Sequence, residues 1–462
     1  MHSIAEQISA LEKELSESPV GYISRKVING KERFYLQWTE NGKVKSRYIK
    51  TDELESVRAS VERRKQLQMK LKELRATPEG VRSYNLKRKA VRSMQNITGT
   101  LMSEDRPIAK VQNGKITDAV EELLPLYLKR TKNFEEWVSS RAIDAHRTNS
   151  RLLKKVLRLR TTDDVQTALA VNAATVTDRY WFNPDGSSAV YEDIRFKENY
   201  FDQLALRGDP DSFSRKPSRT PELTNTGSFE KCWKLINGKW WMYKNGNSEE
   251  CFSELFICKL GEKLGLDMAH YELDGQYIRS KDFTDGASIN FEPLRALVDD
   301  DDDYENCFNV LKKLSPDIAK QYLLLIWMDS ICYNMDRHTE NFGLIRDVHT
   351  GEILSLAPNY DNNIALIAKG YPTDVSRKSD GLIRFFSEFL MSSDDALEMY
   401  RQMDLPEITD KIIDECFDEI PIEVDREYIR NFILNGQARI NDIIGIGEDQ
   451  NEDEDNSFGL ML

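Results

Sequence analysis

The chain of 462 residues is poor in histidine and cysteine and has no long apolar run. Its six cysteines show no C-x-x-C spacing and mostly lie among apolar residues, so we expect reduced core thiols and neither zinc ligands nor disulfides. The five histidines are too widely separated in sequence to suggest a metal cluster. No apolar run approaches the roughly 20 residues of a membrane span, and the N-terminus lacks the apolar region of a signal peptide. We therefore expect a cytoplasmic protein of two or three domains without a membrane span.

Charge is distributed unevenly along the chain. Residues 1–95 hold 21 Lys and Arg against 12 Asp and Glu, a net charge of +9, whereas the whole chain carries −14. The pattern predicts a helix from Ile4 to Leu15, three alternating strands between Val20 and Ile49, and a long basic helix from Thr51 to Arg75. The dipeptides Asn29-Gly30 and Asn41-Gly42 predict the turns between the strands.

The predicted strands of this basic module alternate aromatic and cationic side chains. Such a surface could bind the backbone of a nucleic acid and stack its bases, or it could bind a partner protein. Equally, one aromatic face could pack on the flanking helices while the Lys and Arg side chains are solvated. Both interpretations remain open. The aromatic residues are Tyr22, Phe34, Tyr35, Trp38 and Tyr48.

The segment 334–343, NMDRHTENFG, together with Pro358-Asn359-Tyr360-Asp361, is the most informative part of the sequence. Phosphoryl transfer needs an Asp that accepts the proton of the attacking hydroxyl, an Asn that holds a magnesium ion, and a second Asp that bridges metal and phosphate. Asp336, Asn341 and Asp361 have the order for these three roles. A polar loop of turn and cap residues is the simpler alternative for the first segment taken alone.

A lysine and a glutamate that kinases also need lie upstream. Asn237-Gly238 predicts a hairpin whose second strand ends at Lys244, and a helix is expected from Ser248 to Leu264. Kinases place a Lys on such a strand to bind the nucleotide phosphates and position it with a Glu from the next helix. Glu250 and Glu254 are the candidates, and we favour Glu254 because it lies between apolar neighbours.

These residues resemble a known family. The motifs N-x-D-R-H-x-x-N-x-G-L, A-P-x-Y-D and E-x-x-x-x-x-L-x-x-x-L-G-L are similar to those of HipA-like serine/threonine kinases, relatives of the phosphoinositide-kinase-like branch of the kinase superfamily. The resemblance covers about half of the chain, from Thr220 to the C-terminal helices. It implies an ATP- and Mg²⁺-dependent enzyme, with Mn²⁺ as an alternative metal. The implied roles are catalytic acid/base for Asp336, loop support for His338, metal binding for Asn341 and Asp361, phosphate binding for Lys244, and positioning of that lysine for Glu254.

Two further parts of an ATP site are expected around the hairpin. Gly227 and Ser228 would lie in the turn that covers the phosphates, and Ser280 to Phe283 would form the hinge that holds adenine. The preceding segment from Gly208 to Thr226 is rich in Ser, Thr and Pro and is expected to be mobile, either as an autophosphorylated lid or as an inert linker. Candidate acceptors in it are Ser214, Ser218 and Thr220.

We therefore expect an α+β chain with a two-lobed protein-kinase-like fold of HipA type, an accessory helical region and a small basic N-terminal α/β module. The expected reaction transfers the ATP γ-phosphate to a hydroxyl of protein Ser or Thr, with autophosphorylation as an option. Alternatives are a lipid or small-molecule kinase and a nucleic-acid-binding regulator with a pseudokinase half. The expected divisions are 1–76 for the basic module, 77–117 for a linker or arm, 118–207 for the accessory subdomain, 208–283 and 284–446 for the small and large lobes, and 447–462 for an acidic tail without regular structure.

Overall fold

The computed structural model divides into two compact units, Met1–Gln95 and Asn96–Leu462. It describes Leu11 and residues 22–28, 31–40, 43–50, 52–76, 97–144, 147, 149–159, 163–227 and 229–458. Most of the predicted helix from Ile4 to Leu15 and both Asn-Gly turns of the first unit lie outside these residues, as does Ser228.

The first unit is an antiparallel meander followed by a helix. Strands β1 (Tyr22–Ile28), β2 (Lys31–Glu40) and β3 (Lys43–Ile49) pair in sequence order, and helix α1 spans Leu54–Ala76. The predicted strands and long helix are confirmed.

The two faces of this meander differ. Buried Leu36 and Ile49 pack with Val57 and Val61 of α1, so one face is covered by the helix. Tyr48, the neighbour of Ile49 and therefore on the other face of the meander, is 47% exposed. A small sheet must bury one face to be stable. Binding of nucleic acid or a partner protein by the rest of this unit stays a prediction.

The second unit begins with a four-stranded antiparallel sheet in the order β6-β5-β4-β7. Its strands are β4 (Gly99–Ser103), β5 (Arg106–Gln112), β6 (Lys115–Ala119) and β7 (Tyr180–Pro184). The prediction of a linker or arm was therefore wrong for residues 99–117. The pairing of β4 with β7 joins segments about 80 residues apart, so local periodicity could not indicate it. Tyr180 and Trp181 of β7 are buried core residues.

Short helices follow the strands of this sheet along the chain. Apolar residues such as Leu128 and Phe134 pack against the sheet, whereas Leu204 packs with Cys232 and Tyr243 of the next hairpin. Between residues 118 and 207 helices hold most of the regular structure, and the strand residues there are those of β7 and the end of β6. The helices are α2 (Leu126–Thr131), α3 (Phe134–Ser140), α4 (Ser150–Val156), α5 (Asp164–Leu169), α6 (Tyr191–Ile194) and α7 (Asp202–Arg207).

A second four-stranded sheet carries the predicted hairpin. Strands β8 (Lys231–Ile236), β9 (Lys239–Lys244), β10 (Tyr271–Asp274) and β11 (Tyr277–Lys281) lie in the order β10-β11-β9-β8. Helix α8 spans Ser248–Lys263. Ten of its residues are buried, and with β10 it forms part of the largest core.

The C-terminal half is mainly helical and contains one small sheet. Strands β12 (Asn290–Pro293), β13 (Gly343–Arg346) and β14 (Ile353–Leu356) are antiparallel neighbours. The helix α11 (Pro316–Cys332) is the centre of this half, because it packs against four other helices. The remaining helices are α9 (Arg295–Val298), α10 (Tyr304–Leu314), α12 (Gly381–Ser392), α13 (Asp394–Arg401), α14 (Asp410–Asp418) and α15 (Arg426–Phe458).

Two local predictions are corrected. The helix α15 continues to Phe458, where sequence analysis expected a tail without regular structure. Glu and Gln are good helix formers and the segment has no proline, so its composition permits the helix. The segment from Gly208 to Thr226 contains the short 3₁₀ helices Pro210–Ser214 and Pro221–Thr224. Thr220 is fully buried there and donates to Asn199, so it is a poor candidate for modification.

The elements confirm the α+β class. All six cysteines are free and buried, in agreement with the expected core thiols. Within the part of the chain that the structure describes, no helix combines the length and apolar character needed to cross a membrane.

Candidate functional site

Lys244, Glu254 and Asp361 meet at the end of β9. Lys244 Nζ lies 3.1 Å from Glu254 Oε2 and 2.5 Å from Asp361 Oδ1. The Glu254 side chain is fully buried, and the Lys244 side chain is only 11% exposed. Three residues that are distant in sequence therefore form one buried charged cluster.

Local sequence explains the geometry of the lysine and the glutamate. Asn237 and Gly238 both have positive φ, which lets the short turn return β9 antiparallel to β8. The capping box between Asn247 and Glu250 starts helix α8 directly after β9. Because Glu250 is engaged in this cap, Glu254, one turn later, is the acid that reaches Lys244.

Asp361 is held in an unusual backbone conformation. Its φ is +61°, in the left-handed region that non-glycine residues seldom adopt. The Asp361 N–H donates to the Tyr271 hydroxyl at 3.1 Å, and the next N–H, of Asn362, donates to Glu254 Oε1 at 2.8 Å. Glu254 therefore fixes both Lys244 and the backbone beside Asp361.

The opposite charges of this cluster stabilise one another's ionised forms. Burial alone would lower the pKa of Lys244, but Asp361 and Glu254 outweigh it and raise that pKa well above its usual range. Burial would likewise raise the pKa of Asp361, but Lys244 and Lys231 lower it overall. Lys244 is therefore a cation and Asp361 an anion at neutral pH.

The segment 334–343 forms a compact loop after α11. Asn341 Nδ2 donates to the Asp336 carbonyl at 2.9 Å, and the Asp336 N–H donates to Asn334 Oδ1 at 3.2 Å. Asn334 Nδ2 in turn donates to Asp329 Oδ1 within the helix at 3.0 Å. The relative placement of Asp336 and Asn341 is thus fixed by hydrogen bonds to a buried helix.

Arg337 joins this loop to the segment that carries Asp361. The guanidinium donates bidentately to Asp329, with N···O distances of 2.8 and 2.9 Å. It also donates to the carbonyls of Asn341 and Tyr360, both at 2.7 Å. Further donations reach the side-chain oxygens of Asn359 and Asn362. One buried arginine therefore holds the two metal-ligand candidates, Asn341 and Asp361, in adjacent segments.

Asp336 has the environment of a general base. Its side chain is half-buried, and burial raises its pKa above the ordinary value of an aspartate. Asp361 adds to the rise, whereas His338 and Lys369 oppose it. His338 Nδ1 accepts from the Glu340 N–H at 3.3 Å, a contact within the loop.

The donor set at the loop fits a hard divalent cation. Asn341 uses Nδ2 for the Asp336 carbonyl, which leaves its amide oxygen as the available ligand beside the ionised carboxylate of Asp361. Mg²⁺ binds through one or two carboxylates and takes its other ligands from water and substrate phosphates. Among the described residues, no group of three or more His, Cys, Asp or Glu could hold a metal by itself. Asn341 and Asp361 would share such an ion with water or phosphate oxygens.

The remaining predicted ATP-site residues are placed less uniformly. Gly227 has φ of +95° and lies against the Lys231 side chain, close to the Lys244 cluster. Ser228 lies outside the described residues. Ser280 lies within β11 opposite Met242, so the strand extends into the expected hinge. The Phe283 ring lies 5.7 Å from the ring of Tyr360, the residue before Asp361.

Four residues of the site were given no role from the sequence: Arg337, Asp329, Tyr271 and Lys231. An Asp within the apolar run of α11 was a usable signal of a buried pair. Arg377, in the segment after Asp361, is fully buried. It donates to the C-terminal carbonyls of α11, from Ser330 and Ile331, which would otherwise lack partners.

Comparisons with known proteins find only distant likeness. A family model described as a domain of unknown function (DUF6788) matches residues 1–59. No curated protein matches the chain. The fold is similar to the Helicobacter pylori proinflammatory kinase CtkA, with 18% identity, a TM-score of 0.39, and coverage of 48% of this chain and 95% of that one. It is also similar to a chain of the Shewanella oneidensis MR-1 toxin–antitoxin complex of HipA, HipB and operator DNA, with 12% identity, a TM-score of 0.43, and coverage of 75% and 98%.

Proposed function

We propose that this chain is an ATP- and Mg²⁺-dependent kinase that transfers the γ-phosphate to the hydroxyl of a protein serine or threonine. The observation that carries the proposal is the contact of Lys244 with both Glu254 and Asp361, beside a loop that presents Asp336 and Asn341. A lysine paired with a helix glutamate, a base and two metal ligands are the working parts of kinases.

In this proposal the protein acts by positioning and electrostatics. Lys244 binds phosphate oxygens of ATP, and Glu254 keeps its ammonium in place from a fully buried position. Asp336 orients the acceptor hydroxyl and takes its proton as the phosphoryl group leaves ATP. Charge stabilisation by groups that are already in place costs no reorganisation during the reaction.

Asn341 and Asp361 would hold the magnesium ion together with the phosphates. When bound, the ion would neutralise negative charge on the phosphates. Nucleotide binding would then break the contact between Lys244 and Asp361. The lysine would bind the phosphates, and the Asp361 carboxylate would bind the metal.

The Ser/Thr specificity is supported by the motifs alone. The order N-x-D-R-H-x-x-N-x-G-L resembles HipA-like serine/threonine kinases, whereas the Lys244 cluster would serve a lipid or small-molecule kinase equally well. Acceptor screening separates these outcomes. Transfer of phosphate to a lipid or metabolite and not to protein would change the proposed acceptor class, while the proposal of kinase activity would stand.

The direct test incubates the purified chain with Mg²⁺ and γ-labelled ATP, alone and with candidate acceptor proteins. Label transfer is followed by scintillation counting and intact-mass spectrometry, beside Asp336→Asn and the exposed control Asp404→Asn. We expect transfer by wild type and Asp404→Asn and a loss of about 10²–10⁴-fold in Asp336→Asn. Wild-type protein that does not bind ATP would contradict the proposal.

A further inference from the structure

A groove opens beside the loop 334–343, on the surface of the helical half. Its volume is about 580 Å³, and its walls come from the loop, the first turn of α10 and one side of α12. The loop contributes Asn334, Met335 and Arg337, which lie on both sides of Asp336 in the sequence. A molecule in this groove would therefore lie next to the proposed base.

The floor of the groove is apolar and remains open to water. Met335 is 50% exposed, and Phe385 of α12 is 53% exposed. A different side of α12, which includes Ile383 and Phe386, is buried in the core of the helical half, so Phe385 is not needed to complete that core. Apolar side chains gathered in one groove with a charged rim are typical of a surface that binds another molecule.

The rim of the groove is acidic. Asp302, Asp303, Glu305 and Glu388 line it, and all four side chains are exposed. Arg337, which also lines the groove, is buried and already bonded inside the protein. The rim therefore carries an excess of negative charge that faces water.

The four carboxylates are engaged to different extents. Exposed Arg384 lies 3.7 Å from Glu388, and Asp303 caps α10. Asp302 and Glu305 have no ion pair within the part of the chain that the structure describes. A cationic ligand could therefore pair with these two carboxylates without breaking an existing contact.

The loop from Asp299 to Asp303 is tied to the loop 334–343. Thr339 Oγ1 donates to the Asp299 carbonyl at 2.7 Å. The Asp299 carboxylate accepts from Arg130 Nη1 of α2 at 2.8 Å, which holds the same residue from the accessory region. The acidic rim is therefore attached to the segment that carries Asp336.

We propose that this groove docks the acceptor protein, through a segment in which arginine or lysine lies beside an apolar residue near the phosphorylated serine or threonine. The inference rests on the proposed function, because the acceptor hydroxyl must reach Asp336. Cationic side chains would pair with Asp302 and Glu305, and the apolar residue would cover Phe385 and Met335. An extended segment rises about 3.3 Å per residue, so a few residues join the groove to the hydroxyl. A lipid with a phosphorylated headgroup fits poorly, since the acidic rim would repel its phosphates.

The test uses the full chain and three short serine peptides, whose flanking residues are Leu with Arg, Leu with Glu, or Ala with Gln. Binding is measured by fluorescence anisotropy without ATP, and phosphate transfer with Mg²⁺ and γ-labelled ATP. The variants are Asp302→Asn/Glu305→Gln and Phe385→Ser. The matched control, Asp404→Asn/Glu407→Gln, neutralises two exposed carboxylates that do not line the groove.

We expect wild type to bind the Leu-Arg peptide most tightly and to phosphorylate it fastest. Asp302→Asn/Glu305→Gln should weaken that binding about three- to tenfold, because two exposed ion pairs are lost, and added salt should have the same direction of effect in wild type. Phe385→Ser should weaken binding of both leucine peptides. The control should match wild type.

Failure of this inference is distinguishable from failure of the proposed function. Equal affinity of wild type for the Arg and Glu peptides overturns the docking role, as does a preference that Asp302→Asn/Glu305→Gln leaves unchanged. Transfer to an anionic lipid and not to the peptides also overturns it, and the kinase activity would stand. A preference for the Arg peptide without transfer to any acceptor overturns the proposed function and the inference with it. Thermal melting verifies folding, and the exposed charge variant carries the test if Phe385→Ser is unstable.

Discussion

Two segments of the site are each anchored by a buried arginine, but the two arginines are satisfied to different extents. Arg337, in the catalytic loop, donates through Nε and both terminal nitrogens, and its bidentate partner Asp329 is equally buried. Arg147, behind the turn at Gly227, pairs with Glu222 through one nitrogen, and its Nε has no partner among the described residues.

The pKa values of the two arginines are also shifted in opposite directions. Burial alone would lower the pKa of Arg337, but Asp329 raises it overall. Burial dominates at the other pair, where it lowers the pKa of Arg147 and raises that of Glu222. The proposed catalytic loop, residues 334–343, is therefore held by a fully bonded ion pair, while the turn at Gly227 is held by a less saturated one. In the proposed kinase, a turn that admits nucleotide would tolerate the weaker anchor, whereas the base and the metal ligands would need fixed positions.

The largest effect should follow from Arg337→Met. Loss of this cation leaves Asp329 buried without a partner and removes the link between the catalytic loop and Asp361. We expect the free energy of unfolding to fall by about 3–5 kcal/mol, with loss of transfer activity. Urea denaturation followed by circular dichroism measures the change.

The comparison is tested by Arg147→Met under the same conditions. Glu222 retains donors from Trp233, Asn199 and Asn225 and can take a proton, because its pKa is already raised. We therefore expect a smaller loss of stability than for Arg337→Met. Arg384→Met removes an exposed arginine and should stay within about 0.5 kcal/mol of wild type. Equal losses in the two buried variants would refute the difference between the anchors.

The second effect concerns chemistry in the well-anchored loop. Asp336→Asn removes the base but keeps the shape of the side chain, so we expect kcat to fall about 10²–10⁴-fold. Stability should not fall, because burial already disfavours the ionised carboxylate. Transfer kinetics and a melting curve on the same preparation separate the two quantities. Wild-type kcat in this variant would exclude Asp336 from the mechanism.

The sequence was informative where function depends on short spacings. Asp336 and Asn341 lie in one loop, and Lys244 and Glu254 lie on a strand and the helix that follows it directly, so their order indicates their proximity. The choice of Glu254 over Glu250 followed from apolar neighbours and agrees with its burial. Asp361 follows the antiparallel hairpin of β13 and β14, which lies between it and the loop 334–343.

Residues that act through distant pairing could not be found in this way. In the sequence Lys231 resembles any solvated lysine at the start of a strand, and only the register with Lys244 and the turn at Gly227 distinguish it. Arg147 and Glu222 are about 75 residues apart, so no local pattern relates them. The sheet that contains β4 and β7 was missed for the same reason, since its register depends on long-range contacts.

A third and smaller effect concerns the position of Lys244. Glu254→Gln keeps an oxygen for the Asn362 N–H but removes the charge that positions Lys244. We expect kcat/KM for ATP to fall about 10- to 100-fold, because a buried charged hydrogen bond is lost. Glu250→Gln, one turn away in the helix cap, is the matched control and should leave kcat/KM unchanged. The assignment of Glu254 would be refuted by equal losses in both variants.

The smallest predicted effect is a shift in the pH–rate profile. The base form of Asp336 is required, and burial raises its pKa, so kcat should fall with decreasing pH through a limb above the ordinary value for aspartate of about 3.9. Exposed Lys369 opposes this rise, so Lys369→Met should move the limb further upward, and added salt should reduce the difference because it screens exposed charges. Lys231→Met, at the start of β8 beside the turn at Gly227, should leave the limb in place. If Lys231→Met instead shifts the pH at which kcat falls, the turn at Gly227 and the proposed catalytic loop are coupled more tightly than their separate arginine anchors indicate.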